Sequence, residues 1–249
     1  NSYSEVEALS RPSEVHTIGI FLSIEGLHVL NCGMEEAADR SEVMKNVRAL
    51  KEWENRIFFV TFAHHFYNEL AGHARSLDKT MSKFIDQGPG TETGFTDLGK
   101  EVLHELLEDE SGKPIFIDVK HMNVRSRREY YNILKEEYSE KKIPIIVSHG
   151  AVTGYFDERE KEAIPGKPQK FNNGDINFYD FEILEIEQSH GIFGLQLDER
   201  RIGSKQELDN AKGKLRRRKI LFHRSKLLWN QIEHIAEVLD IHDRYAWGI

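Results

Sequence analysis

Apolar stretches in this chain repeatedly end in an imidazole or a carboxylate. The segment 143-IPIIVSH-149 closes on His149, 114-PIFIDVKH-121 on His121, and 57-IFFVTFAHH-65 on His64 and His65. The first such segment, 17-TIGIFLSIEG-26, closes on Glu25 before a glycine, and 192-IFGLQLD-198 closes on Asp198. Neutral imidazole and carboxylate are good zinc ligands at neutral pH. Any one of these histidines alone reads more simply as a structural residue. Glu, His, His and His at equivalent places on successive strands point instead to a divalent-metal hydrolase, in which a metal pair activates water and polarises a carbonyl.

Other chemistries are poorly served. Ser148 and His149 are neighbours, so on a regular strand their side chains face opposite ways, which argues against a nucleophile–base pair. By the same alternation Lys120 should face away from His121. No GxSxG elbow and no GxGxxG turn after a strand is present. Cys32 is the only cysteine, which excludes an internal disulfide or a thiolate cluster, and it reads as a buried apolar residue. Histidines such as His28 and His73 fall in loops and read as solvated. The acidic run 105-ELLEDE-110 and the basic run 212-KGKLRRRK-219 read as solvated faces.

Positioning five strand ends on one face requires a parallel sheet. The chain supplies one, as strands alternating with helices. Helical spacing marks 40–54, with Val43, Val47, Leu50 and Trp53 recurring, then 95–110 with Thr96 as N-cap and Gly112 past its end. Further helices are expected over 125–140, over 176–190 capped by Asp175, and over 220–240. Strands this apolar, each followed by a helix, imply a sheet buried on both faces, of doubly wound or barrel type. The best loop lies around Gly88, Pro89 and Gly90, and no linker divides residues 1–249, which read as a single domain.

The formal net charge is −8, so the broad basic field that nucleic acid requires is missing. No apolar run approaches a membrane span, and 1-NSYSEVEALSRPSEVH-16 does not look like a targeting peptide. The expectation is a soluble chain with the cytoplasm favoured. A periplasmic or secreted location would need a signal ahead of this numbering.

The ordered motifs 24-IEGLH-28, 58-FFVTFAHHFYN-68, 94-GFTDLGKEVLHEL-106, 115-IFIDVKHMNV-124 and 145-IIVSHGAV-152 resemble the renal (membrane) dipeptidase family of the metal-dependent amidohydrolase superfamily. The resemblance covers residues 17–152 well and the remainder more loosely. It implies a (β/α)8 TIM-type barrel with Glu25 on its third strand. It implies two zinc ions bridged by Glu25, the second held by His121 and His149, and a hydroxide between them that attacks a dipeptide or similar small amide. His65 matches the histidine that contacts the scissile carbonyl. Asn68 matches a motif asparagine without chemistry, and 94–96 match the turn that opens the next helix.

The chain also departs from that pattern. It has no His-x-Asp for the first metal, and it reaches 245-YAWGI-249 where the Gly-Ser-Asp segment of the eighth strand should follow. The expectation is therefore a partial barrel, with the first two strands and the eighth largely missing. At the step where the family grips the substrate carboxylate with arginine stands Asn172, in 172-NNGD-175, and a neutral amide cannot make that bidentate ionic pair. Arg159 is a candidate replacement. The leading expectation is a zinc-dependent dipeptidase-type hydrolase with Glu25, His65, His121, His149 and Asn172 in its site. The alternatives are an amidohydrolase acting on another amide or a lactone, and a metal-deficient, non-catalytic homologue. A monomer and a homodimer are both open.

Overall fold

The computed structural model describes residues 7, 19–33, 37–77, 81, 84–108, 114–164, 170–212 and 217–241. Among the described residues, five strands form one parallel sheet: β1 Leu22–Glu25, β2 Ile57–Thr61, β3 Phe116–Asp118, β4 Ile146–Gly150 and β5 Ile192–Leu195. Their order across the sheet is their order in the sequence. A doubly wound sheet reverses direction at a switch point. These strands do not, so the described part of the sheet winds in a single direction. Right-handed crossovers in a constant direction keep the connecting helices on one side.

The helices are α1 Arg40–Glu52, α2 Asp97–Leu107, α3 Val124–Glu137, α4 Glu158–Ala163, α5 Asp180–Gln188, α6 Glu199–Ile202, α7 Lys205–Lys212 and α8 Arg217–Ile241. Short polar side chains start several of them. Asp39 caps α1, Thr96 caps α2 and Asn123 caps α3, each accepting from a backbone N–H of the first turn. Val43 and Val47 of α1, Val102, Leu103 and Leu106 of α2, and Tyr130 of α3 pack in one cluster with Val60, Ile117 and Val147 of the strands. This packing fixes the strand ends relative to one another.

Several elements differ from the sequence expectation. The strands are shorter: β2 stops at Thr61 and β3 at Asp118, with Phe62 N donating to Asp118 O and Val119 N to Ile146 O just beyond, so His64, His65 and His121 lie past the strands. His121 itself has φ 69°, a left-handed conformation that no strand continues through. Helix α5 starts at Asp180 with Tyr179 as N-cap, instead of at 176 with Asp175. The residues before it are held extended, Phe178 N donating to Ala151 O and Thr153 N to Phe178 O. The Asp175 carboxylate accepts from Lys161 Nζ and Tyr179 Oη instead of capping. Asp198 caps α6 by accepting from Arg200 N. Arg159 lies within α4. Residues 1–6 and 8–16 of the opening segment, 17–18 of the first expected strand, 109–113 with Gly112, 213–216 of the basic run and 245–249 lie outside the described residues.

Candidate metal centre

Glu25 ends β1 opposite Thr61 in the register of β2. Gly26 follows at φ 99°, where a Cβ would stand 3.1 Å from His64 Cβ, so a glycine lets the chain turn beside that imidazole. Three imidazoles surround the carboxylate. Glu25 Oε1 lies 3.5 Å from His64 Nε2, 3.5 Å from His121 Nε2 and 3.7 Å from His149 Nε2. His121, with His64 and His149 adding to it, holds the Glu25 carboxyl down to about 2 against the cost of burial.

His64 and His65 are delivered by the turn after β2, with ring centroids 3.9 Å apart. Asn68 holds that turn: its Nδ2 donates to Phe62 O at 2.7 Å, and its Oδ1 accepts from Leu70 N and Ala71 N. His65 Nδ1 is 2.6 Å from Ser76 Oγ, and Ser76 Oγ also accepts from Gln87 Nε2 at 3.1 Å. Burial, with His64 alongside, brings His65 down to about 4, so its ring is neutral at pH 7.

His121 is 4% exposed, and neither ring nitrogen has a hydrogen-bond partner among the described residues. Burial lowers it to about 3, with Glu25 acting in the opposite direction. An orphaned buried nitrogen is costly unless something binds it. Among the described residues, two groups of side chains offer ligand atoms within 4.8 Å of one another: Glu25, His121 and His149, and His64, His65 and His121. One carboxylate and two neutral imidazoles form a donor set that fits zinc.

Behind His149 lies a contact that contradicts the strand-alternation argument. Ser148 Oγ stands 2.9 Å from His149 Nδ1. The register of β4 shifts between Val147 and Gly150, and that irregularity brings the two neighbouring side chains together. Ser148 Oγ also donates to Asp118 Oδ2 at 2.6 Å. Lys120 is buried nearby, with Nζ lacking a hydrogen-bond partner among the described residues. Burial, then Arg127 and Arg201, bring it down to about 7.

No family model matches the chain, and no curated protein does. Solved structures do. One is described as the probable dipeptidase PvdM from Pseudomonas aeruginosa, at 17% identity and a TM-score of 0.45 over 82% of this chain and 50% of that one. Another is an amidohydrolase from Pseudomonas aeruginosa, at 15% identity and a TM-score of 0.44 over 87% of this chain and 46% of that one. The chain spans half or less of the length of these structures.

Of the site residues read from the sequence, the structure brings Glu25, His121 and His149 into one group and sets His65 at its edge, against both His64 and His121. Asn172 has its amide committed to backbone, Nδ2 donating to Arg200 O at 2.7 Å and Oδ1 accepting from Gly174 N at 2.8 Å. His64 stands nearer the Glu25 carboxylate than sequence reasoning assigned. Beyond the strand end alternation no longer says which of two adjacent histidines points where. Asp118, Ser148, Ser76 and Gln87 were missed as supports; the one signal was a carboxylate, Asp118, in the midst of the apolar 115-IFIDV-119.

Proposed function

We propose that this protein is a zinc-dependent hydrolase of the dipeptidase-like amidohydrolase type, with its sheet forming part of a (β/α)8 barrel. Glu25, His121 and His149 are the residues that would hold the metal. The observation that carries the reading is the convergence of these three on one point, with Nε2 of buried His121 3.5 Å from Glu25 Oε1 and its Nδ1 left without a hydrogen bond among the described residues. Zinc held there supplies Lewis acidity toward water and toward an amide carbonyl.

The protein's own groups account for the rest. Glu25 contributes a negative charge that stays ionised far below neutrality. His65 borders the site as a neutral imidazole. A hydrogen bond donated by Ser76 Oγ to Nδ1 would leave the other ring nitrogen of His65 as an N–H donor for the oxygen that gains charge as the amide is attacked. The substrate is a dipeptide or similar small amide. A second reading, an amide or lactone without a free carboxylate, is favoured by Asn172. That residue is neutral, and its amide is already engaged with backbone.

Elemental analysis after exhaustive dialysis against trace zinc, with hydrolysis of dipeptides, N-acyl amides and lactones, tests both readings. Wild-type protein should retain zinc and hydrolyse one of these classes. Glu25→Gln and His149→Ala should each weaken retention tenfold or more and abolish turnover. Wild-type protein that retains no zinc and hydrolyses none of the panel would leave a non-catalytic homologue as the correct reading.

A further inference from the structure

The carboxylate of Asp118 is fully buried on β3 and receives four hydrogen bonds. Lys120 N and Ser148 N donate to Oδ1, each at 3.0 Å, and Thr61 Oγ1 and Ser148 Oγ donate to Oδ2, each at 2.6 Å. In all four contacts the partner is the donor and the carboxylate oxygen the acceptor. The hydroxyl proton of Ser148 is therefore committed to Asp118. Ser148 Oγ then meets His149 Nδ1, 2.9 Å away, with only lone pairs left, so the hydrogen in that contact must belong to the imidazole.

We propose that Asp118 and Ser148 are positioning residues that fix His149 in its Nδ1–H tautomer. The nitrogen left with a free lone pair is then Nε2, which faces Glu25 Oε1 at 3.7 Å. A ring nitrogen must be unprotonated to take a metal, and the tautomer is set by the bond the other nitrogen makes. The order Asp118–Ser148–His149 contains the residue types of a hydrolytic triad, but the proton runs from serine to aspartate. Ser148 is thereby removed as a nucleophile and made a fixed acceptor. Thr61 Oγ1 on the same aspartate oxygen links the ends of β2, β3 and β4, so the orientation of His149 depends on three strands at once. The consequence for the metal rests on the proposed function, whereas the tautomer does not.

The test is the tautomer itself, read from the side-chain 15N shifts of His149 in metal-free protein near neutral pH. Wild-type protein should show protonated Nδ1 and unprotonated Nε2. Asp118→Asn keeps the shape of the side chain but places an N–H2 where Oδ2 was. Ser148 Oγ then accepts from Asn, its own proton turns to His149, and the ring should switch to Nε2–H. Zinc affinity, measured separately, should fall roughly 10- to 100-fold. Ser148→Ala should release the ring into a mixture of tautomers, and Ser148→Thr should restore the wild-type spectrum. Circular dichroism identifies any variant that does not fold, and the wild-type spectrum alone still decides. Wild-type His149 protonated on Nε2, or a spectrum unchanged by Asp118→Asn, overturns the proposal. Protein with the Nδ1–H form that binds no zinc overturns the hydrolase reading and leaves this one standing.

Discussion

The ring of His121 is 4% exposed, its backbone has φ 69°, and neither of its nitrogens makes a hydrogen bond among the described residues. Each feature is unfavourable in metal-free protein. A left-handed backbone at a non-glycine residue costs on the order of 1–3 kcal/mol, and an unsatisfied buried polar atom about 1–3 kcal/mol more. Features of this kind persist where a ligand uses them, and here the ligand is the proposed zinc. His121→Leu separates the two roles. Leucine fills much of the same space and removes the orphaned nitrogens, but tolerates the left-handed backbone less well than histidine. Those effects oppose each other, so stability to urea in the presence of chelator should change by less than about 1 kcal/mol, while zinc retention falls tenfold or more. A loss of about 3 kcal/mol or more, typical of truncating a well-packed ring, would make His121 a structural residue.

A buried ion pair ties α3, the helix that follows His121, to α5. Arg127 Nε lies 2.6 Å from Glu182 Oε1, and its remaining N–H groups reach Glu182 Oε2, Met122 O, Asp175 O and Asn177 O. Glu182 also accepts from Tyr131 Oη and from Tyr179 N, the latter closing the first turn of α5. Both side chains are fully buried, and Phe178 lies under the guanidinium at 4.6 Å. The helix containing Arg127 was legible from its periodicity, and the helix containing Glu182 nearly so. The pairing was not, because nothing local connects residues 55 apart in sequence. The same long-range contacts draw Asn177 and Phe178 into an extended path, which moves the start of α5 later than its apolar spacing indicates. Removing one partner strands the other as a buried charge, so Arg127→Met should cost about 3–5 kcal/mol in denaturant titrations. Adding Glu182→Leu in the same chain should recover a large part of that loss. Equal or greater destabilisation in the double variant would mean that the backbone contacts of Arg127, and not the ion pair, hold α5 in place.

For the molecule as a whole, the parallel sense of the sheet and the gathering of Glu25, His121 and His149 at one face followed from apolar runs that end in ligand-type residues. Strand order, and with it the winding direction, did not, since it depends on which strands pair. Nor did the burial of loop residues: His73, read as solvated, is 0% exposed beneath the 88–94 loop, with Nε2 3.0 Å from Pro89 O and Nδ1 3.3 Å from Ala74 O. Burial lowers its pKa below the ordinary histidine value, although the two carbonyls favour the proton, and His28 is lowered in the same direction, also chiefly by burial. The sign of the linkage follows from those shifts. The unfolded chain takes up protons near pH 6.5, while the folded chain does so only lower, so stability is complete above about 6.5 and is lost as pH falls toward the folded values. One fully buried histidine contributes at most about 1.4 kcal/mol per pH unit within that window. Urea titrations of metal-free protein at pH 7.5 and pH 5.0 should therefore show lower stability at pH 5.0. His73→Gln cannot titrate and should flatten the slope by up to that amount, whatever it does to stability at pH 7.5. An unaltered slope in the variant would mean that the proton uptake of His73 is the same folded and unfolded, and that its burial under the loop does not persist in solution.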